Sequence, residues 1–246
     1  MAATIDEIAP DLFRITSFVE SANFQFSSFL VRDDEPMLYH TNLRALFPDI
    51  RSGIEKVIEP STIRWIGFSH FESDECGALN DWLAIAPHAQ PVCSFVGART
   101  SITDFSDRPP RILDVDERIE TGSHIFRVIE TKHVPHGWDA SLLFEETAST
   151  LFCSDLVGQG GDVEALTEGD IVGRSQDYNE HQAAGPMSRA VPFTDETLPI
   201  IENLAALRPK TLACMHGSSF AGNGGQVLLD FGAMLKRLNA RNNTEY

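Results

Sequence analysis

The chain has 246 residues, 42% of them hydrophobic, and carries a formal net charge of −17. That apolar content suffices for one sizeable layered domain, whereas the acidic balance, with no Lys/Arg cluster, excludes a partner held by nucleic-acid phosphates. The N-terminal "MAATIDEIAPDLF" has neither a basic start nor an apolar stretch of signal length. No later run approaches about 18 apolar residues, so a soluble, cytoplasmic protein without a membrane span is expected.

In chain order, "LFRIT" (12–16), "FSSFLVR" (26–32) and "PMLYHT" (36–41) are short β-rich runs between polar turns, which predicts a strand meander. Apolar residues at Leu46, Ile50, Ile54 and Val57 predict a helix over 45–57. "TIRWIGFS" (62–69) is continuously apolar, as expected of a strand buried on both faces. A short helix is expected over "GALNDWLAIAP" (77–87). Further strands are expected at "PVCSFV", "ERIETG", "HIFRVIETK", "ASLLFEE" and "STLFCSD", the last two joined by the turn "ETAST". Residues 158–192 are polar and glycine-containing, with one helix in the second half, and long segments of this kind commonly serve as lids or binding loops. "DETLPIIENLAAL" reads as a helix, "TLACMH" as a strand, and "GGQVLLDFGAMLKRLNAR" as a closing amphipathic helix. Two batches of strands with helices between them predict a layered α/β sandwich.

The chemistry concentrates in "HFESDECG" (70–77), on the loop leaving the buried strand. If this loop is extended, His70, Glu72 and Asp74 share one side while Ser73 and Glu75 point elsewhere. Carboxylates packed this densely repel one another unless a cation compensates them; taken alone, the cluster is also compatible with a solvated acidic turn. Further donors stand at strand ends: His133 and His136 in "ETKHVPHGWD", Asp155 in "LFCSD" and His216 in "ACMHGSS". Strand ends are where sheet-rim sites are built. The four cysteines, Cys76, Cys93, Cys153 and Cys214, form no CxxC and sit mostly in apolar runs. They read as buried thiols, with only Cys76 beside the cluster.

In this ordered set the sequence resembles the metallo-β-lactamase fold, and within it the flavodiiron and oxygen-binding diiron proteins. The matching elements are His70, Glu72 and Asp74 in "HFESD", His136 in "HGWD", Asp155 in "FCSD" and His216 in "MHG", and the likeness covers nearly the whole chain. The resemblance implies a four-layer αβ/βα sandwich over 1–246, with 158–192 as a lid insertion. It also implies two metal ions, iron foremost, with zinc and manganese as alternatives. His70, Glu72 and His136 would hold one metal, Asp74 and His216 the other, and Asp155 both. Related hydrolases carry a second histidine where Glu72 stands; the carboxylate suits iron or manganese better than zinc.

One position departs from the pattern: Glu75 stands where the family has histidine. Three roles are open for it: an oxygen ligand of the second metal, a hydrogen-bond partner of a ligand, or a solvent-facing carboxylate. His133 is expected to end its strand or line the pocket, His40 to support the site from behind or simply be a satisfied polar residue, and His181, with Tyr178, to overhang it. His88 and His124 need no function, and Phe71 and Trp138 are expected as pocket walls.

The leading functional expectation is a non-haem dinuclear protein that binds or reduces dioxygen or nitric oxide. The flavodiiron architecture adds a flavodoxin-like FMN domain, which this chain does not show, since "AGNGGQ" reads as a loop feeding the last helix. Electrons would then come from a separate donor protein. The alternative is a hydrolase using a metal-bound hydroxide on an ester, thioester, lactone or amide. A module that has lost its metal is disfavoured by the six candidate ligands. A homodimer is a further expectation carried by the resemblance.

Overall fold

Alternation along the strands separates the core into layers. In the computed structural model, which describes residues 2–183, 185, 187 and 191–242, neighbouring strand residues point to opposite sides. Phe29, Met37, Tyr39, Trp65 and Val92 face one apolar cluster, while Leu30, Leu38, Ile66 and Cys93 face another. The same division holds further along the chain, where Leu143, Phe152 and Ala213 turn inward and Leu142, Leu151, Cys153, Leu212 and Cys214 turn outward.

These strands form two seven-stranded sheets. The first runs in chain order: β1 (Thr4–Ala9), β2 (Leu12–Val19), β3 (Phe24–Val31), β4 (Met37–Tyr39), β5 (Trp65–Gly67), β6 (Gln90–Ser94) and β7 (Arg111–Leu113). It is antiparallel through β4 and parallel from β4 to β7. The second comprises β8 (Arg118–Glu120), β9 (Ile125–Glu130), β10 (Ser141–Glu145), β11 (Thr150–Ser154), β12 (Leu166–Thr167), β13 (Thr211–Cys214) and β14 (Ser219–Ala221). Its order is β12-β14-β13-β11-β10-β9-β8.

Helices cover the outer faces. Helix α1 (Phe47–Ile54), the single turn α2 (Ser73–Cys76) and α3 (Leu79–Ile85) bury Ile50, Ile54, Cys76, Leu79 and Trp82 against the first sheet. Beyond the short turns α4 (Phe95–Gly97) and α5 (Thr103–Phe105), helices α6 (Ile171–Gln182), α7 (Thr197–Ala206) and α8 (Gly224–Asn242) cover the second. Helix, sheet, sheet, helix is the expected four-layer αβ/βα sandwich. Among the described residues no helix is long and apolar enough to cross a membrane, and all four cysteines are buried free thiols.

The differences from expectation are local. "PVCSFV" is a strand only to Ser94, whose hydroxyl accepts the Gly97 N–H at 3.1 Å and starts a run of helical turns over 95–105. In 158–192, besides helix α6, Leu166–Thr167 forms an unforeseen edge strand against β14. Residues 184, 186 and 188–190 of that span lie outside the described residues. "AGNGGQ" does connect β14 to α8.

Candidate metal centre

Each candidate side chain stands at the end of a strand or in the turn just after one. His70 follows β5, His136 lies between β9 and β10, Asp155 follows β11 and His216 follows β13. Glu72 is extended, with φ −140° and ψ 163°. From Ser73 the chain turns helical, with Cys76 N–H donating to Glu72 O at 2.9 Å and Gly77 N–H to Ser73 O at 2.9 Å. The extended loop therefore ends at Glu72, and Glu75 swings inward instead of pointing away. It is fully buried, which removes the solvent-facing reading. Gly77 is required here, because a Cβ would lie 2.2 Å from Ser73 O.

The side chains converge as two overlapping groups. In the first, His70 Nε2 lies 2.9 Å from His136 Nε2 and 3.3 Å from Glu72 Oε2, and His136 Nε2 lies 2.8 Å from the same carboxylate oxygen. In the second, His216 Nε2 lies 3.3 Å from Asp74 Oδ2 and 3.0 Å from Asp155 Oδ1. Asp155 joins them, because its Oδ2 is 3.5 Å from both His70 Nε2 and His136 Nε2. Glu75 Oε1 lies 3.8 Å from His70 Nε2 and 3.4 Å from Ser154 Oγ, which donates to it. Among the described residues, Asp155 Oδ2 and Glu75 Oε2 are buried atoms with no hydrogen-bond partner. All seven predicted site residues thus come together. Two imidazole Nε2 atoms facing each other, with buried carboxylate oxygens unsatisfied beside them, form donor groups that could hold a cation.

The electrostatics agree. Burial opposes protonation of His216, yet hydrogen bonds and charge from Asp155 and Asp74 outweigh it and raise its pKa to about 10. Hydrogen bonds from His136 and His70 hold Glu72 down at about 2. Burial pushes Glu75 up, and the adjacent carboxylates of Asp155 and Asp74 add to that. Burial favours the neutral form of Asp155, but His216 holds it well below the ordinary carboxylate range.

Behind the donors lies a layer with little signature in the sequence. Ser69 Oγ sits 2.9 Å from His70 Nδ1, 2.7 Å from Ser154 Oγ and 3.2 Å from His40 Nε2. His40 is fully buried, and burial lowers its pKa to about 3, so it supports the site from behind as a neutral ring. His216 Nδ1–H donates to Gln25 O at 2.8 Å, which aims Nε2 into the site. Arg14, 1% exposed, donates to Gln25 Oε1 at 3.1 Å and to Gly217 O at 2.6 Å. Asp139 Oδ2 accepts the Phe71 N–H at 2.8 Å, tying the His136 turn to the His70 loop.

A cavity of about 430 Å³ opens over the donors, lined among others by Phe24, Phe26, Tyr178, Met187, Val191 and Phe231. Phe24 stacks on His216 at 4.3 Å and on Tyr178 at 5.1 Å. Tyr178 overhangs the site as expected; His181 is exposed and lines no part of this cavity. His133 and His88 are exposed, and His124 pairs with buried Glu145 at 3.1 Å away from the centre. Trp138 is 60% exposed, not a cavity wall, and Phe71 lines an adjoining cleft. The Cys76 thiol donates to Glu72 O, and burial raises its pKa to about 12, so it remains a protonated thiol.

Comparison with known proteins finds related chains. Rubredoxin-oxygen oxidoreductase of Megalodesulfovibrio gigas is 22% identical over 210 residues, covering 80% of this chain and 49% of that protein. Anaerobic nitric oxide reductase flavorubredoxin of Pectobacterium carotovorum is 22% identical over 150 residues, 60% of this chain and 30% of its own length. The flavodiiron core of Flv1 from Synechocystis sp. superposes with a TM-score of 0.78 at 16% identity, covering 96% of this chain and 61% of that one. The chain thus spans about half the length of the first of these relatives and less of the second. The family profile described as "ODP family beta lactamase" matches residues 24–217, and the chain belongs to that family.

Proposed function

We propose that this chain holds a pair of iron ions and that the pair binds or reduces dioxygen or nitric oxide with electrons from a separate donor protein. His70, Glu72 and His136 would hold the first ion and Asp74 and His216 the second, with Asp155 within reach of both and the Glu75 carboxylate beside them. The observation that carries the reading is the pair of unsatisfied buried oxygens, Asp155 Oδ2 and Glu75 Oε2, at the meeting point of the donor groups. Held by these residues, a ferrous pair would supply the electrons for reduction of one diatomic molecule. Four carboxylates, Glu72, Asp74, Glu75 and Asp155, balance the charge of two divalent ions. Gln25 O and Ser69 Oγ fix the imidazoles of His216 and His70 from behind. Phe24, Phe26 and Phe231 restrict water above them. The names of the relatives, an oxygen oxidoreductase and a nitric oxide reductase, support the same substrate class.

The test is anaerobic loading with ferrous iron, followed by metal analysis and absorption spectra before and after admitting air or nitric oxide. Two irons per chain and a gas-dependent near-ultraviolet or visible band are expected. The cavity volume, far larger than a diatomic molecule requires, favours hydrolysis of an organic substrate as the second reading. Zinc as the bound metal, with turnover of an ester or lactone and no response to gas, would establish it.

A further inference from the structure

The two halves of the centre are chemically unequal. The first offers two imidazole nitrogens, from His70 and His136, beside the Glu72 carboxylate. The second offers a single nitrogen, from His216, with every other donor an oxygen, from Asp74 and Asp155. Glu75 adds a further carboxylate beside Asp74. It stands fully buried among Glu72, Asp74, His70 and Asp155, with Oε1 3.8 Å from His70 Nε2 and Oε2 without a hydrogen-bond partner among the described residues. Imidazole favours the later divalent metals, while carboxylate oxygens favour harder ions such as manganese and narrow the usual preference for iron over manganese.

We infer that the pair is heterodinuclear when manganese is in excess: iron in the nitrogen-rich half at His70, Glu72 and His136, manganese in the oxygen-rich half at Asp74 and His216, with Glu75 as the residue that sets the selection. This inference rests on the dinuclear reading above. Nothing in it depends on which gas or organic molecule reacts.

The experiment uses the full chain, stripped of metal with a chelator and incubated anaerobically with ferrous iron and a roughly ten-fold excess of manganese. Bound metals are then counted by mass spectrometry after desalting, and electron paramagnetic resonance reports exchange coupling. The wild-type protein is expected to retain about one iron and one manganese, with a coupled signal. Glu75→His, which supplies a second nitrogen, is expected to lower retained manganese about ten-fold and raise iron toward two, at unchanged total metal. His136→Ala is expected to keep manganese and lose iron, which assigns each metal to its half. Glu75→Gln, which keeps the size but loses the charge, is expected to lose manganese and keep iron; circular dichroism establishes that each variant is folded. Two irons in the wild-type protein despite excess manganese, or the same iron-to-manganese ratio in Glu75→His, overturns the inference and leaves the dinuclear reading standing. Loss of manganese instead of iron from His136→Ala also overturns it. Retention of less than one metal of any kind by the wild-type protein overturns both.

Discussion

In the proposed dinuclear centre, Asp155 is the residue whose removal separates a bridged pair from two independent sites. Its Oδ1 lies 3.0 Å from His216 Nε2, and its Oδ2 lies 3.5 Å from both His70 Nε2 and His136 Nε2. Asp155→Ala therefore removes one donor from each half in a single change. In the metal-free protein the change costs the charge-assisted bond to His216 but relieves crowding with Asp74 and Glu75, so the two effects offset and stability shifts by about 2 kcal/mol at most. The metal-dependent part behaves differently. At free metal 100-fold above Kd, one filled site adds about 2.7 kcal/mol, so two add about 5 kcal/mol. If losing the shared carboxylate weakens each site about 100-fold, each then adds about 0.4 kcal/mol and the pair less than about 1 kcal/mol. At about 2–4 °C per kcal/mol for a chain of this size, the metal-induced rise in Tm falls from about 10–20 °C to about 3 °C or less. The assay is thermal unfolding with and without ferrous iron under anaerobic conditions, paired with metal analysis. Two full equivalents retained by Asp155→Ala, or loss of one metal with the other unaffected, would refute a shared ligand.

Three other outcomes follow from the same geometry. Arg14→Met leaves Gly217 O and Gln25 Oε1 without their buried donor, and a loss of about 2–4 kcal/mol is expected in urea unfolding; a change within error would show that the clamp contributes nothing. The metal-free protein should become less stable as pH rises from 6.5 toward 10. Folded His216 holds its proton up to about 10 while the unfolded residue releases it near 6.5, so the contribution is complete below 6.5 and gone above 10. His216→Gln should flatten that slope in thermal scans. Phe152→Ala opens a void between the sheets, where Phe152 is fully buried beside Phe29 and Tyr39. It should cost about 3–5 kcal/mol by denaturant titration, and a loss under about 1 kcal/mol would mean the interior layer has repacked.

The donors were legible because strand ends converge at a sheet rim, which picked out His70, Asp155 and His216, while the family resemblance was needed to choose His136 over the exposed His133. Glu75 was not. Whether residues 73–76 continue extended or close a helical turn is decided by two backbone bonds, from Cys76 to Glu72 and from Gly77 to Ser73, and one register step reverses the side on which a carboxylate lies. Arg14, Gln25 and Ser154 were invisible for another reason. The Arg14–Gly217 bond spans 203 residues and the His216–Gln25 bond 191, so no local pattern records them. In the fold, the buried alternating strands were readable, whereas "PVCSFV" leaves the strand after Ser94, whose hydroxyl accepts the Gly97 N–H and starts helical turns.

The arrangement also makes the centre a joint between sheets. His70, Glu72, Asp74 and Glu75 hang from the loop after β5 in the first sheet, while His136, Asp155 and His216 come from the second. Cations shared by these groups, as proposed, would tie the two sheets at their rim, next to the apolar layer in which Phe29 and Tyr39 of one sheet meet Phe152 of the other. Tyr39 immediately precedes His40, and Phe152 lies three residues before Asp155. Packing of the interior layer thus sets how closely the donor groups approach, and occupied donors in turn oppose separation of the sheets. Coupling of this kind is reciprocal in free energy: a cavity at Phe152 that loosens the sheets must weaken metal binding by the same factor by which bound metal resists the loosening.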